Sequence, residues 1–376
     1  DNIAMELISE VLQVPESEIT GIKCLKTGMT NKSFLFKVHG KSYICRIPGP
    51  GTELLINRKQ EKAVYDAVQD YGITEHVVYM NGETGYKISE YYEGARNSDP
   101  RDWDDVARCM ALVEKLHDLK LHVDHSFDIR ERIGFYEALC RGYEKKLFED
   151  YPEVKSHMTT LLDRLDRLNR PKVLSHIDSV CDNFLFLPDG DLRLIDWEYS
   201  GMCDPLIDVS MCAIYSYYND FEVEKLIKLY LHREPTSEER FVYYAYIALG
   251  GFLWCLWAVY KSSVGEEFGD YTIVMYRYAK RFYKKIITSP EFLGIGDGGT
   301  TEITVLAVCG FPGAAFVRTQ IRELVRKSRI IATFSIEFLQ DVCVFLCYTE
   351  NTQITSIESR DEAVTEIQLS RDLFYS

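Results

Sequence analysis

The chain has 376 residues and a formal net charge of −15, and 46% of its residues are hydrophobic and 27% charged. This composition is typical of a globular protein that can bury sizeable cores. The acidic excess argues against nucleic acids and anionic membranes as partners and suits a cationic substrate. Eleven cysteines without CxxC spacing indicate reduced thiols. Together with the lack of a basic, apolar leader at residues 1–6, they predict a cytoplasmic protein.

The first ninety residues predict a helix followed by a small antiparallel sheet. Apolar residues recur at helical spacing over residues 3–13, and Pro15 ends that helix. Alternating apolar residues between short turns then predict strands. The strands are expected at 22–25, 33–38, 42–47, 77–80 and 86–89, with a helix over 54–70 between the third and the fourth.

Three features of this region suit the phosphates of a nucleotide. Gly28, Thr30 and Asn31 lie at the tip of the first hairpin, where small residues let backbone N–H groups approach phosphate oxygens. An ordinary hairpin turn explains them equally well. Arg46 ends the third strand and can clamp a phosphate or be an exposed charge. Glu61, on the following helix, can pair with Arg46 or face solvent.

Residues 172–208 have the pattern of a hairpin with polar residues at its mouth. Asp178 lies in a short polar loop, and Asn183 follows five residues later. Two apolar runs then flank a Pro-Asp-Gly-Asp turn, and Asp196 ends the second run. Because a hairpin brings its ends together, these three polar side chains can converge.

Two carboxylates and an amide at one point suit Mg²⁺ and phosphate chemistry, since Mg²⁺ prefers oxygen ligands and retains waters. The order H-x-D-x₄-N and then Asp matches the kinase template. In that template the first Asp, here Asp178, accepts the proton of the substrate hydroxyl. Asn183 and Asp196 would hold the metal. The alternative is a loop in which Asp and Asn only form turns.

Asp196 also begins the run D-W-E-Y-S-G, which is followed by Asp204-Pro205 and Asp208. With the preceding loop, this run resembles the choline/ethanolamine kinases, above all the bacterial choline kinases that supply phosphocholine for cell-surface decoration. They fall within the aminoglycoside-phosphotransferase-like kinases. The resemblance implies an α+β, bilobal, protein-kinase-like fold. An antiparallel, ATP-binding N-lobe would cover residues 1–93, and a mainly helical, catalytic and choline-binding C-lobe would cover 94–287.

The resemblance also implies roles for residues that no local pattern assigns. The loop of Gly28, Thr30 and Asn31 would contact the ATP phosphates, and Arg46 would take the place of the protein-kinase lysine. The hinge would contact adenine through backbone groups from Glu90 to Tyr92. Asp208 would brace the backbone of the catalytic loop. His117, at the end of a predicted helix over 103–119, would be a buried structural histidine.

Further helices are predicted over 130–148, 153–168, 205–218, 221–231, 237–262 and 271–287. Residues 243–260 carry no charge and reach the length of a membrane span. Two glycines and several tyrosines in a single such run favour a buried C-lobe helix over membrane insertion.

Trp254 and Trp257 share one face of this helix. Core packing explains the spacing by itself. In choline kinases, however, F-L-W-x-L-W supplies two indoles that wall the pocket for the quaternary ammonium, through cation–π contacts. By the same resemblance, Tyr199 and Tyr271 are further candidate walls, and Glu198 a candidate counter-charge. A eukaryotic relative has a Gln where this chain has Val180, which removes one polar contact near the substrate hydroxyl.

Residues 288–376 differ in character from the rest of the chain. A Gly-rich linker at 294–301 is followed by predicted strands at 301–308, 330–334 and 342–348 and a helix at 317–327. No motif is present. The segment is either an appended small α+β domain or a piece that derives from cloning.

The sequence therefore predicts an Mg²⁺-dependent kinase that uses ATP to convert choline to phosphocholine. Ethanolamine, an aminoglycoside or another small alcohol is the alternative acceptor. A choline-binding pseudokinase that acts as a sensor is a candidate of another class, against which the intact Asp178, Asn183 and Asp196 argue.

Overall fold

The structure, a computed structural model, describes residues 2–27, 31–49, 52–142, 148–297, 302–306 and 331–335. For residues 2, 26 and 27 and for the last two segments it describes the backbone alone. The described residues divide into two compact units. One lies within residues 1–161 and 170–286, and the other within 162–169 and 287–376.

The first unit begins with a helix, α1 (Asn2–Leu12), and a five-stranded antiparallel sheet in the order β1-β2-β3-β5-β4. The strands are β1 (Thr20–Thr27), β2 (Asn31–Val38), β3 (Lys41–Pro48), β4 (Val77–Met80) and β5 (Lys87–Glu90). Alternate residues of β2 point into the core, where Phe34, Phe36 and Val38 pack with Ile8 of α1. This is the sheet that the alternating pattern predicts.

Helix α2 (Arg58–Val68) begins four residues after the predicted start at residue 54. The reason is a local cap, because the Asn57 side chain accepts a hydrogen bond from the Gln60 N–H at 3.1 Å. Residues 52–54 form a separate 3₁₀ turn. The later start makes Arg58 the first residue of the helix.

Seven helices make up most of the described residues that follow the sheet: α3 (Trp103–Asp118), α4 (Ile129–Gly142), α5 (Tyr151–Leu168), α6 (Leu206–Tyr215), α7 (Asp220–Leu231), α8 (Ser237–Ser263) and α9 (Tyr271–Thr288). Side chains define their starts: Asp102 caps α3, and capping boxes at Asn219 and Thr236 begin α7 and α8. The predicted extension of the fourth helix to residue 148 falls partly on residues 143–147, outside the described residues.

Five short strands hold the segments between these helices: β6 (Arg96–Asn97), β7 (Val173–Ser175), β8 (Phe184–Phe186), β9 (Leu192–Leu194) and β10 (Gly201–Cys203). Strands β8 and β9 form the predicted hairpin, with Phe184 opposite Leu194. Strand β10 pairs antiparallel with β7 and so returns the chain to the start of the polar loop.

Among the described helices, α8 alone is long and apolar enough to cross a membrane, and 83% of its most apolar 18-residue window is buried inside the protein. Two adjacent glycines explain the close packing around it. A Cβ on Gly250 would lie 2.9 Å from Met211 Sδ of α6, and one on Gly251 would lie 2.5 Å from the Met275 carbonyl of α9. The predicted buried helix is confirmed.

The second unit contains the end of α5 and the residues after α9. Arg164 donates to the carbonyls of Phe292 (2.6 Å) and Ile295 (2.8 Å) and pairs with Asp297 at 3.0 Å. Strands β11 (Glu302–Leu306) and β12 (Ile331–Ser335) pair in parallel, at two of the predicted strand positions. The helix predicted at 317–327 and the strand predicted at 342–348 lie outside the described residues.

These contacts predict that a chain ending at residue 297 is more stable than one ending at the proposed kinase boundary, residue 287. The shorter chain removes the partners of Arg164, and a hydrogen bond to a charged group contributes about 1.5–3 kcal/mol. We expect its melting temperature to be lower by at least about 2–4 °C. Arg164→Ala in the longer chain should reproduce most of the loss. Equal melting temperatures for all three proteins would show that residues 288–297 do not stabilise α5.

Candidate active site

The Asp208 carboxylate, in the first turn of α6, fixes the loop that follows β7. It is fully buried. Its Oδ2 accepts from the His176 N–H at 2.9 Å, and its Oδ1 accepts from the Ile177 N–H at 2.7 Å. Ile177 has φ = +73°, a left-handed conformation that is costly for a β-branched residue. The two hydrogen bonds offset this cost, so the structure forms the brace that the resemblance implies.

A third donor to the same carboxylate comes from α3. The His117 Nε2 lies 2.8 Å from Asp208 Oδ2, and its Nδ1 lies 2.8 Å from the Tyr230 hydroxyl. Because a carboxylate only accepts, Nε2 carries the proton of the hydrogen bond to Asp208. His117 is buried, in agreement with the predicted structural histidine.

The polar residues at the two ends of the hairpin are brought together. Asn183 Nδ2 donates to the Asp178 side chain at 3.1 Å and to its backbone carbonyl at 2.8 Å. The Ile195 N–H binds the Asn183 carbonyl at 2.9 Å, which holds the end of β9 beside the loop. Asp196 follows with φ = +66°. The sequence prediction that the ends of the hairpin meet is therefore confirmed in its geometry.

Electrostatics shows that the carboxylates act on one another. Burial raises the pKa of Asp178 to about 7, and the charge of Asp196 adds to the shift. Burial, followed by the charges of Asp196 and Glu61, also raises the pKa of Glu198 to about 8, against the opposing effects of Arg46 and Arg58. Both carboxyl groups thus respond to the charge of Asp196, and a cation bound there would favour their ionised forms.

On the N-lobe side, Arg46 and Glu61 form a buried, bidentate ion pair. Arg46 NH1 lies 2.5 Å from Oε1 of Glu61, and NH2 lies 3.0 Å from Oε2. Burial opposes ionisation of Glu61, but the Arg46 guanidinium outweighs it and lowers the pKa of Glu61 to about 2. The structure thus favours the paired arrangement over the exposed charges that the sequence left as alternatives.

Arg58 is a further residue of this region, and no sequence pattern singled it out. Its guanidinium donates to Glu61 at 2.8 Å and to the Asn31 side chain at 2.9 Å, and it lies 3.5 Å from Glu198. Its i,i+3 spacing from Glu61 on α2 was the available signal. Its contacts with Asn31 and Glu198 depend on the tertiary fold.

Trp197, between Asp196 and Glu198, is fixed from the N-lobe. Its indole N–H donates to the Thr74 hydroxyl at 2.9 Å and to the Leu194 carbonyl at 3.0 Å. Thr74 in turn donates to Glu75 at 2.5 Å, and Glu75 pairs with the buried Lys87 at 2.6 Å. This network ties the residue after Asp196 to β5, which begins with Lys87.

Aromatic side chains from α8, α9 and the segment after Asp196 gather near Asp178. The rings of Trp254 and Trp257 are 6.1 Å apart and nearly perpendicular. Tyr199 lies 5.4 Å from Trp254, and Tyr271 lies 6.4 Å from Trp257. Burial raises the pKa of both tyrosines, and the charge of Asp178 adds to the effect. The four predicted aromatic residues therefore form one cluster close to Asp178.

Comparison with known proteins identifies the chain. The family model for choline/ethanolamine kinase matches residues 22–248. The chain belongs to the choline/ethanolamine kinase family. It is accordingly a phosphotransferase with the bilobal kinase-like fold that the sequence predicts.

Individual members of the choline/ethanolamine kinase family are similar over most of the chain. The choline kinase LicA of Streptococcus pneumoniae is 32% identical with a TM-score of 0.65, over 76% of this chain and 98% of that protein. A structure of LicA with AMP is 31% identical, with the same TM-score and coverage. Ethanolamine kinase 2 of Rattus norvegicus is 26% identical over 73% of this chain and 79% of its own.

Glu198, the predicted counter-charge for the ammonium group, contacts residues of the N-terminal sheet and of α2. Its polar contacts in the described structure are with Arg58 and with Asn31, whose Nδ2 lies 3.5 Å from Oε2 of Glu198. It thus joins the group around Arg58 and also directly precedes Tyr199 of the aromatic cluster.

Other family positions can be located in part. Gly28 and Thr30 lie outside the described residues, whereas Asn31 begins β2. At the hinge, the Glu90 N–H binds the His76 carbonyl, and the Tyr91 N–H binds the Ser42 carbonyl, both at 2.9 Å. Two of the three N–H groups that the hinge prediction covers therefore already have protein partners, and the donor that remains is the Tyr92 N–H.

The role of Asp208 can be tested through stability. Asp208→Asn keeps the shape but places an NH₂ group among three donors, so we expect the free energy of unfolding to fall by at least about 2–3 kcal/mol. Asp118→Asn, at an exposed position beside His117, is the control and should leave it unchanged. Urea denaturation measures both. A loss of less than about 0.5 kcal/mol, the range of ordinary surface substitutions, would contradict the brace.

Proposed function

We propose that the protein transfers the γ-phosphoryl group of ATP to the hydroxyl of choline, giving phosphocholine and ADP. The observation that carries the proposal is that Asp178 accepts a hydrogen bond from Asn183 and interacts electrostatically with Asp196 and with two tyrosines of the aromatic cluster, Tyr199 and Tyr271. The similarity to the S. pneumoniae choline kinase, over nearly its whole length, supports the same acceptor.

Asp178 is the proposed general base. With a pKa of about 7 it is substantially ionised at neutral pH and still basic enough to take a proton. It would hold the choline hydroxyl in line with the γ-phosphorus and accept its proton as the new P–O bond forms and the bond to ADP breaks. Most of the catalysis in such a transfer is positioning and charge stabilisation.

The donor set near Asp178 fits Mg²⁺. Because Asn183 uses its amide nitrogen on Asp178, the amide oxygen is the atom left for a metal, and Asp196 supplies a carboxylate. The charge of Asp196, which raises the pKa values of Asp178 and Glu198, is what a divalent cation would neutralise. When bound, Mg²⁺ would screen the phosphate charge.

The nucleotide would lie against the N-lobe. Arg46, held by Glu61, is the proposed phosphate clamp, and the loop of Gly28, Thr30 and Asn31 would cover the phosphates. At the hinge, we assign adenine to backbone groups from Glu90 to Tyr92, with the Tyr92 N–H as donor. The AMP in the LicA structure supports nucleotide binding in this family.

The aromatic cluster is the proposed site for the trimethylammonium group. Its N-methyl groups cannot donate hydrogen bonds, so a cage of π faces from Trp254, Trp257, Tyr199 and Tyr271 is the suitable recognition element. Ethanolamine is the second candidate, because the family includes the rat ethanolamine kinase. A primary ammonium would want more hydrogen-bond acceptors than the cluster offers, which favours choline.

We also propose that residues 1–93 and 94–287 act as the N-lobe and C-lobe of the enzyme. A cytoplasmic location is proposed as well. Six buried cysteines in the described part of the chain are free thiols, which suits a reducing compartment: Cys45, Cys109, Cys140, Cys203, Cys212 and Cys255.

Replacement of the proposed base gives the first functional test. Asp178→Asn should lower kcat by about 10²–10⁴-fold and leave ATP affinity nearly unchanged, because the amide cannot accept the hydroxyl proton. The kcat/KM of the wild type, which reports the free enzyme, should fall as the pH drops below about 7, where Asp178 becomes protonated. A coupled assay for ADP measures both effects.

The control for this test is Asp182→Asn, in the same loop but exposed. It should stay within about twofold of the wild type. An Asp178→Asn enzyme with activity within a few-fold of wild type would reject the role of this residue.

Recognition of the quaternary ammonium predicts a selective effect on one substrate. Trp254→Leu or Trp257→Leu keeps much of the bulk but removes a π face that contributes about 0.5–2 kcal/mol to a bound cation. The KM for choline should rise by about three- to thirtyfold, while the KM for ATP should hardly change.

The choline-to-ethanolamine preference should shrink in the same variants, and Trp103→Leu, at the start of α3, is the matched control. Equal weakening of both substrates would identify the two indoles as packing residues. If the wild type does not phosphorylate choline at all, ethanolamine and other small alcohols become the first candidates.

A further inference from the structure

Arg58 joins three segments that are far apart in the sequence. Its NH1 donates to Glu61 at 2.8 Å and lies 3.5 Å from Glu198, and its NH2 donates to Asn31 Oδ1 at 2.9 Å. Asn31 Nδ2 closes the arrangement at 3.5 Å from Glu198. Asn31 ends the proposed phosphate loop, and Glu198 stands two residues after the proposed metal ligand Asp196.

The guanidinium is enclosed, so these contacts are not those of a mobile surface side chain. The side chain of Arg58 is 7% exposed, and those of Glu61 and Glu198 are 0% and 7% exposed. The backbone of Gly85 covers its methylenes: with φ = +74°, Gly85 approaches so closely that a Cβ there would lie 2.8 Å from Arg58 Cδ. The same Gly85 carbonyl accepts from Arg46 NH2 at 3.3 Å.

The charges explain why a cation is needed at this point. Glu61 is shared, since one of its oxygens faces Arg46 and the other receives both guanidinium groups. Glu198 is also buried, and the Arg58 guanidinium lies 3.5 Å from its Oε2. Loss of Arg58 would leave two buried carboxylates, Glu61 and Glu198, without the guanidinium that lies between them.

We propose that Arg58 is a positioning residue that couples the nucleotide-binding elements. Arg58 holds Glu61, Asn31 and Glu198 together. It thereby fixes the relative positions of three elements: the phosphate clamp Arg46, which pairs with Glu61, the end of the phosphate loop at Asn31, and the segment that carries the proposed metal ligand Asp196. It touches no reacting atom itself. The inference rests on the proposed function for the identity of the nucleotide, but not for the identity of the acceptor alcohol.

The test is binding of a non-hydrolysable ATP analogue with Mg²⁺, measured by calorimetry without any acceptor. Arg58→Met should raise the dissociation constant of the analogue by about 10–100-fold. This is the usual effect of removing a group that orients the ligand-binding residues without touching the ligand itself. Lys59→Met is the matched control, because the adjacent Lys59 is 70% exposed and pairs with Glu83 at the surface. It should leave binding unchanged.

Arg58→Lys guards against a folding defect, because it keeps the charge but cannot reach three partners at once. We expect this variant to melt near the wild-type temperature and still to bind the analogue several-fold more weakly. In turnover, the KM for ATP should rise and the KM for choline should stay within about twofold. A purely structural role would change both together.

A cycle with Glu198→Gln tests the coupling itself. If Arg58 acts through Glu198, the variant with both Arg58→Met and Glu198→Gln should bind the analogue within about twofold of Arg58→Met alone. Independent residues would instead raise the dissociation constant by the product of the two single-variant factors. Fully multiplicative effects would overturn the coupling, as would wild-type affinity in a folded Arg58→Lys protein. If the wild type binds the analogue but does not phosphorylate choline, the proposed acceptor is wrong while the inference about Arg58 stands.

Discussion

The Asp208 carboxylate accepts hydrogen bonds from the N–H groups of His176 and Ile177 and from the His117 imidazole, and the catalytic loop depends on them. Without these bonds the left-handed Ile177 would be strained with nothing to offset the strain. The helix that carries Asp208 is itself tied to α8, because the Ser210 hydroxyl donates to the Tyr243 carbonyl at 3.0 Å. The packing of α6 against α8 therefore helps to determine where Asp178 lies. A substitution that disturbs this packing should also displace the proposed base.

Buried groups of opposite charge lie close together in the candidate active site. The charge of Asp196 adds to the burial that raises the pKa values of Asp178 and Glu198, and two guanidinium groups are buried around Glu61. Each group alone would be costly to bury. A polyanion such as a nucleotide would pair with the guanidinium groups, and a divalent cation bound to it would pair with the carboxylates. A cation next to Asp196 would also lower the pKa of Asp178, so the base would become more ionised as the nucleotide site is filled.

Local patterns predicted what local interactions determine. The hairpin of β8 and β9 follows from two apolar runs around a Pro-Asp-Gly-Asp turn, and its convergent ends follow from the hairpin. The start of α2 was placed four residues too early, although Asn57 and Gln60 had the spacing of a cap. Contacts between distant segments could not be read in this way. The brace by Asp208 came from family resemblance alone, and the grouping of Glu198 with Arg58 came only from the fold.

Helix α8 shows why its sequence resembles a membrane span although it is buried inside a protein. The part of α8 around Gly250 and Gly251 packs closely against α6 and α9. This close approach is possible because neither glycine has a side chain. One turn later the same helix presents Trp254 and Trp257 to the cluster beside Asp178. A charged residue on the first part would be buried without a partner, and one on the second would replace a π face. Close packing in the first part and aromatic contacts in the second therefore both exclude charged residues. Because a buried helix carries the two indoles, the packing of the core fixes their positions.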